Sequence, residues 1–232
     1  MPLLEVQGLD AFYGDFQALF GIDLEIDDGE VIALIGANGA GKSTFMRALL
    51  NHGIRAAGHI RFGDADITQQ PTYLISRLGM TLAPEGRALF PSLSAEENLV
   101  MGTSAGRGGR WTLADIYQLF PGIRDARQRT AMQISGGQQQ MVAICRALLA
   151  NPRLLLCDEI SLGLAPKVIS DIYNAVPTIR ESGIAILLVE QDIDRARSVS
   201  DRFYCLLEGR VSLKGRSADY SMDAISRAYF GA

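Results

Sequence analysis

Hydrophobic positions fall into short runs at both ends of the chain and into helical spacing in the middle. Val31–Ile35 is apolar at every position, the pattern of a strand buried on both faces of a parallel sheet. Leu3–Gln7 and Ala18–Ile26 precede it as strands, and Asp27-Asp28-Gly29 makes a tight turn between the last two, so an antiparallel N-terminal sheet is expected. A helix is predicted from about Ser43 to Leu50, then strand Gly58–Phe62, a short helix Pro71–Leu78 and buried strand Gly79–Ala83. From Pro84 to about Ala150 only helical segments are read, over Ser94–Met101, Thr112–Phe120 and Gly136–Ala150, with Gly102–Arg110 as a flexible surface loop. Strand Arg153–Asp158, helix Pro166–Glu181, strand Ile184–Val189 and helix Asp192–Val199 restore a βαβ rhythm. Arg202–Leu207 and Arg210–Leu213, joined at Glu208-Gly209, read as a terminal hairpin. The sum is one α/β domain over 1–232: a mostly parallel sheet flanked by helices (1–83 and 151–232), an N-terminal antiparallel part, and an all-helical insertion at 84–150.

Bulk composition alters this picture little. At 232 residues the chain can bury roughly 70–75% of its unfolded surface. Hydrophobic content of 48% and charged content of 21% are ordinary for a globular chain. A net charge of −4 argues against a nucleic-acid partner held by bulk positive charge. Cys145, Cys157 and Cys205 are odd in number, widely spaced and without a C-x-x-C pair, which reads as buried free thiols in a reducing compartment. The first residues lack a basic leader, and no apolar run approaches the roughly 20 residues that span a bilayer. The expectation is a cytosolic chain, with any membrane role exerted through a partner.

Three places carry chemistry. Gly36-Ala37-Asn38-Gly39-Ala40-Gly41-Lys42-Ser43-Thr44, after a buried strand and before a helix, fits the phosphate-loop pattern G-x-x-x-x-G-K-[ST]. Its glycines let successive backbone N–H groups face the β- and γ-phosphates, Lys42 adds a point charge, and the Ser43 hydroxyl suits Mg²⁺. Asp158 and Glu159 end an apolar strand at the carboxyl edge of the sheet, where open α/β sheets bind ligands. There the first can orient a Mg²⁺ shell and the second can take a proton from an attacking water; the plainer alternative is an acidic pair capping the next helix. Ser135-Gly136-Gly137-Gln138 opens an apolar helix with exposed N–H groups at the positive end of its dipole. Alone, it would be an ordinary capped helix.

Together, these motifs in this order resemble the ATP-binding subunits of ABC transporters. Ile134-Ser135-Gly136-Gly137-Gln138 is similar to the family signature LSGGQ, with Ile for Leu, and the resemblance runs from about Leu4 to Gly231. It implies a P-loop NTPase fold, ATP and Mg²⁺ as cofactors, and two chains, alike or related, packed head to tail, each ATP lying between Lys42 of one and Ser135–Gln138 of the other. It also implies two transmembrane permease subunits with a solute-binding protein, and a place on the inner face of the cell membrane. Tyr13 falls where the family sets an aromatic ring against adenine, although its own pattern reads only as strand. Glu85 stands where most members carry a Mg²⁺-binding Gln, and Gln191 where most carry a switch histidine. A Glu85 carboxylate would still suit Mg²⁺, its alternative being a surface pair with Arg87, and Gln191 could hydrogen-bond the γ-phosphate without becoming a cation. Pro84-Glu85-Gly86-Arg87, Glu96-Glu97-Asn98-Leu99, Ser161–Pro166 and Val189-Glu190-Gln191 resemble the ATPases of branched-chain amino-acid importers, apart from Ile160 in place of a usual proline and a short Gly102–Arg110 loop. A soluble ABC module working without a transporter is the competing function, and a phosphate-loop kinase would leave Ser135–Gln138 without a task.

Overall fold

A computed structural model describes residues 1–231; Ala232, the last residue of the expected domain, lies outside the described residues. The chain begins with β1 (Leu4–Tyr13), β2 (Phe16–Ile26) and β3 (Val31–Ile35), then α1 (Lys42–Leu49), β4 (Arg55–Phe62) and β5 (Ala65–Asp66). Next come α2 (Thr72–Leu78), β6 (Met80–Ala83), α3 (Ala95–Val100), α4 (Leu113–Leu119), α5 (Pro121–Ala126) and α6 (Gly136–Leu149). β7 (Leu154–Asp158), α7 (Pro166–Glu181), β8 (Ala185–Glu190), α8 (Ile193–Val199), β9 (Arg202–Leu207), β10 (Arg210–Arg216) and α9 (Met222–Phe230) complete it.

Two sheets organise these elements. The antiparallel sheet runs β2-β1-β4-β5, and the larger one runs β10-β9-β3-β8-β7-β6, parallel throughout except for edge strand β10. Every residue of β3, β7 and β8 is buried, as expected of strands covered on both faces. One core, including Leu4, Ile22, Phe45, Met46, Leu34 and Leu187, places α1 between the two sheets. A second packs α6 and α7 against the opposite face of the parallel sheet through Val142, Cys145, Ile172, Leu155 and Ile186. This is the P-loop NTPase architecture with its accompanying antiparallel sheet. All three thiols are buried and free, and burial pushes the Cys157 thiol up to about 12.

The structure differs from the sequence expectation in places. β2 and β3, joined at Asp27–Gly29, lie in different sheets, so the turn changes layers and the antiparallel partner of β2 is β1. β1 extends to Tyr13 and β4 starts at Arg55, because irregularities in register carry both strands past polar positions that broke the alternation. β5, α5 and α9 have no counterpart in the sequence expectation. The Gly102–Arg110 segment is tied down, not free. Met101–Ala105 forms a 3₁₀ turn, and the Arg107 guanidinium donates to the carbonyls of Asn151 (3.1 Å) and Arg77 (3.1 Å). Next to it, Asn151 and Trp111 exchange side-chain-to-backbone bonds, and the Trp111 indole N–H donates to Ser182 Oγ at 3.1 Å.

Candidate functional site

The loop between β3 and α1 is shaped by its glycines. At Gly41 φ is 106°, and a Cβ there would sit 2.7 Å from a Leu19 methyl, so only glycine fits. Gly41 is also the N-cap of α1, and no side chain caps that helix. The first N–H groups of α1 are therefore left open to the cleft in front of them, at the positive end of the helix dipole.

That cleft has a volume of about 880 Å³. Tyr13, Asn38, Gly39, Gly41, Lys42, Ser43, Thr44, Glu85, Glu159 and Gln191 all line it, so five separated stretches of sequence meet at one place. Gly36, Ala37 and Ala40 form the underside of the loop: Lys42 Nζ donates to the carbonyls of Gly36 (2.7 Å) and Ala37 (3.0 Å), and Ala40 is buried. Lys42 is itself buried and lies 3.3 Å from Glu159 Oε1. The other Glu159 oxygen accepts from Gln191 Nε2 at 2.6 Å. Glu159 thus stands between a cation and an amide. Its backbone is left-handed, with φ of 45°, a conformation that side-chain-bearing residues keep only where their surroundings impose it.

Asp158, the preceding residue, has a buried Oδ1 with no hydrogen-bond partner. Burial, then the charges of Glu159 and Glu85, raise its carboxyl to about 6, against the pull of Lys42 and Arg47. An acid raised in this way is protonated more readily when folded than when unfolded. Its ionisation therefore erodes stability as pH climbs from about 4 to about 6, and the deficit is complete above that. Asp158→Asn is expected to stabilise the nucleotide-free protein at pH 7.5 by roughly 1–3 kcal/mol, with the gain cut to about a third at pH 4.5. Thermal melts at the two pH values check this; a variant that melts lower at pH 7.5 contradicts it.

Glu85 is exposed, and no ion pair with Arg87 or another base includes it among the described residues. Arg87 donates to Gln139 Oε1 at 2.8 Å, so the surface-pair alternative for Glu85 is not what forms. Tyr13 ends β1, 39% exposed at the cleft, with its hydroxyl 3.3 Å from Thr44 Oγ1. Phe16, Phe20 and Arg210 also line the cleft, with the Arg210 guanidinium over the Phe20 ring at 4.6 Å. Sequence alone offered no signal for them. Arg210 reaches the site because the β9–β10 turn docks on the loop, through Gly209 N–H to the Ala40 carbonyl (3.0 Å) and Phe20 N–H to the Gly209 carbonyl (2.9 Å).

Ser135, Gly136, Gly137 and Gln138 are not among the residues lining this cleft. Ser135 N-caps α6: its hydroxyl accepts from Gln138 N–H at 3.3 Å, and Gln138 Oε1 accepts from Ser135 N–H at 3.0 Å. A Cβ on Gly137 would fall 2.7 Å from a Val168 methyl, so that glycine lets α6 approach α7 closely. Ser135 remains exposed. Within one chain, then, the structure brings Lys42, Asp158, Glu159 and Gln191 together and leaves the Ser135 turn outside.

Known proteins match both the sequence and the fold. The ABC transporter family matches residues 19–161. The high-affinity branched-chain amino acid transport ATP-binding protein BraG of Pseudomonas aeruginosa is 39% identical over 224 residues, covering 93% of this chain and 94% of that one. A probable branched-chain amino acid transport ATP-binding protein, LivF of Archaeoglobus fulgidus, is 31% identical over 92% of each. Among solved structures, the ADP conformation of an ATP-binding cassette of an ABC transporter aligns over the whole of both chains with a TM-score of 0.83 and 25% identity. With a phosphate loop, an acidic strand end and a cleft that joins them, the chain belongs to the ABC transporter family, as one of its ATP-binding and ATP-hydrolysing subunits.

Proposed function

We propose that this ATPase drives an importer for branched-chain amino acids or related small solutes, and that it works as a dimer. The cleft holding Lys42, Glu159 and Gln191 lacks the Ser135 turn, and this observation carries the dimer reading. A second chain, identical or related, supplies Ser135–Gln138 across the ATP, and each chain lends its signature to the other. The nucleotide phosphates lie against Gly36–Thr44, with adenine stacked on Tyr13, a contact worth roughly 1–3 kcal/mol. The domain is single, with residues 84–150 as its helical part and the rest as the nucleotide-binding core.

The residues at the cleft suit Mg²⁺. Asp158 Oδ1 is a buried carboxylate oxygen without a partner, and Ser43 and Glu85 offer further oxygen donors on the same side. One or two carboxylates completed by nucleotide phosphates are the usual Mg²⁺ environment in such sites. Ser43 and, through water, Asp158 would hold the ion, with Glu85 as a third donor; an ion held there would supply charge neutralisation to the nucleotide phosphates. Glu159 accepts the proton of the attacking water. Lys42 leaves its loop carbonyls for the phosphates, and Gln191, which holds Glu159 in this structure, would donate to the γ-phosphate.

ATP closes the dimer and hydrolysis reopens it. The movement passes to two membrane permeases beside Glu85 and the helical part, which sets the chain on the inner face of the cell membrane. The transported class rests on the likeness to BraG and LivF. No helix among the described residues is long and apolar enough to cross a membrane, so the membrane route would belong to the partners. The experiment is reconstitution in vesicles with permeases and a solute-binding protein of the branched-chain amino-acid type: leucine, isoleucine or valine should stimulate ATP hydrolysis. Stimulation by a different solute class would reassign the substrate, and isolation only within a soluble assembly would favour a module without a transporter.

A further inference from the structure

Behind the catalytic cleft lies a buried polar cluster that the hydrolysis scheme does not use. Glu190, the last residue of β8, is only 3% exposed. One of its carboxylate oxygens accepts from the Ser161 hydroxyl at 3.1 Å, and the other accepts from the Tyr173 hydroxyl of α7. Ser161 Oγ in turn accepts from Arg195 Nη1 of α8 at 3.0 Å, and the same guanidinium lies over the Tyr173 ring at 5.7 Å.

The donors and acceptors of this cluster run one way. Arg195 donates to Ser161, Ser161 spends its single proton on Glu190, and Tyr173 spends its own on the other oxygen. An ionised carboxylate satisfies every member, although burial raises the carboxyl above its ordinary range while the two hydroxyls and Arg195 act against that. A buried carboxylate is costly unless fully hydrogen-bonded, and here both oxygens are engaged.

Its position gives the cluster a consequence. Ser161 lies two residues after Glu159, and Glu190 immediately precedes Gln191. The segments joined by the Ser161–Glu190 bond are thus the two whose side chains pair as Glu159 and Gln191. Besides the Glu159 N–H to Val189 carbonyl bond (3.1 Å), it is a second tie between them. A left-handed Glu159 requires such external ties to hold its backbone in place.

We infer that Glu190 is a positioning residue for ATP hydrolysis: through Ser161, with Tyr173 and Arg195 fixing the geometry, it locks the loop carrying Glu159 to the strand end carrying Gln191. Glu190 does not line the cleft, and its carboxylate faces Ser161 and Tyr173. The inference rests on the reading of Glu159 as the residue that accepts the water proton.

The test measures steady-state ATP turnover and ADP affinity in Glu190→Gln and Ser161→Ala, alone and combined with Gln191→Ala, with melting curves to establish folding. Each single change should lower kcat by about 10–100-fold, the scale of a small misplacement of a reacting group. KM for ATP and ADP affinity should stay within about threefold of the unaltered protein, since binding is not what the cluster governs. Combined with Gln191→Ala, neither change should slow turnover much beyond the slower single variant, because all act through one pair. Fully multiplicative losses, or a rise in KM with kcat preserved, would overturn the inference. Should Glu190→Gln fail to fold, Ser161→Ala and Tyr173→Phe carry the same comparison. Glu159→Gln separates the two levels. If that variant turns over normally, the assignment of Glu159 is wrong; if it is inactive while Glu190→Gln and Ser161→Ala keep normal kcat, the positioning inference alone fails.

Discussion

Exchange of Glu159 for Gln is expected to slow ATP turnover by roughly 10²–10⁴-fold while leaving ATP bound. The amide keeps the size of the side chain and can still accept the hydrogen bond that Gln191 Nε2 gives at 2.6 Å. It cannot take a proton from water. It also removes the negative charge that faces Lys42 Nζ at 3.3 Å. Freed from that pairing, Lys42 has only the Gly36 and Ala37 carbonyls to exchange for phosphate oxygens, so affinity for ATP should hold or rise. Single-turnover hydrolysis set beside a nucleotide-binding titration reads the two effects separately. Near-normal turnover would remove Glu159 from its place in the scheme; lost binding would show that the change had damaged the loop.

The second large effect is placed in a residue that no contact within one chain ties to the cleft. Ser135→Arg should lower turnover by roughly 10²–10³-fold, the usual loss when a donor aimed at developing charge is withdrawn. Nucleotide binding to the single chain should survive, since Tyr13, Lys42 and Ser43 lie elsewhere. The substitution also removes the N-cap of α6, which by itself costs about 1 kcal/mol of stability. Ser135→Ala loses the same cap without adding bulk, so comparing the two variants separates helix stability from exclusion of the partner. Equal turnover in Ser135→Arg and the unaltered protein would mean that the signature turn faces no nucleotide.

Much of this was legible in the sequence, for physical reasons that can be named. β3, β7 and β8 are apolar at nearly every position because they are covered on both faces, and so they stood out as buried strands. Lys42 could be read because a loop around phosphate demands glycine at fixed spacing, and Glu159 because it follows an apolar strand at the carboxyl edge of the sheet, where open α/β sheets bind ligands. The rest depended on long-range contacts. Phe20 and Arg210 meet at the cleft only through the docking of the β9–β10 turn, which no local pattern encodes. The tying of Arg107 to Asn151 made an ordered segment of glycine-rich sequence that reads as free loop. Two-residue β5 is too short for any period to register, and α5 begins at Pro121 just after α4 ends, where the proline reads as a stop. Glu190 read as part of a motif, yet its work lies in partners from α7 and α8 that fold up behind it.

The account turns on a site that one chain cannot complete, and the mass of the protein in solution tests this most directly. With Glu159→Gln to stop hydrolysis, sedimentation velocity at saturating ATP and Mg²⁺ should report a dimer of two chains, which returns to monomer when ATP is replaced by ADP. The same variant carrying Ser135→Arg should bind ATP and stay monomeric. A Glu159→Gln protein that remains monomeric with ATP bound, together with wild-type turnover per chain that does not change with protein concentration, would contradict the shared site.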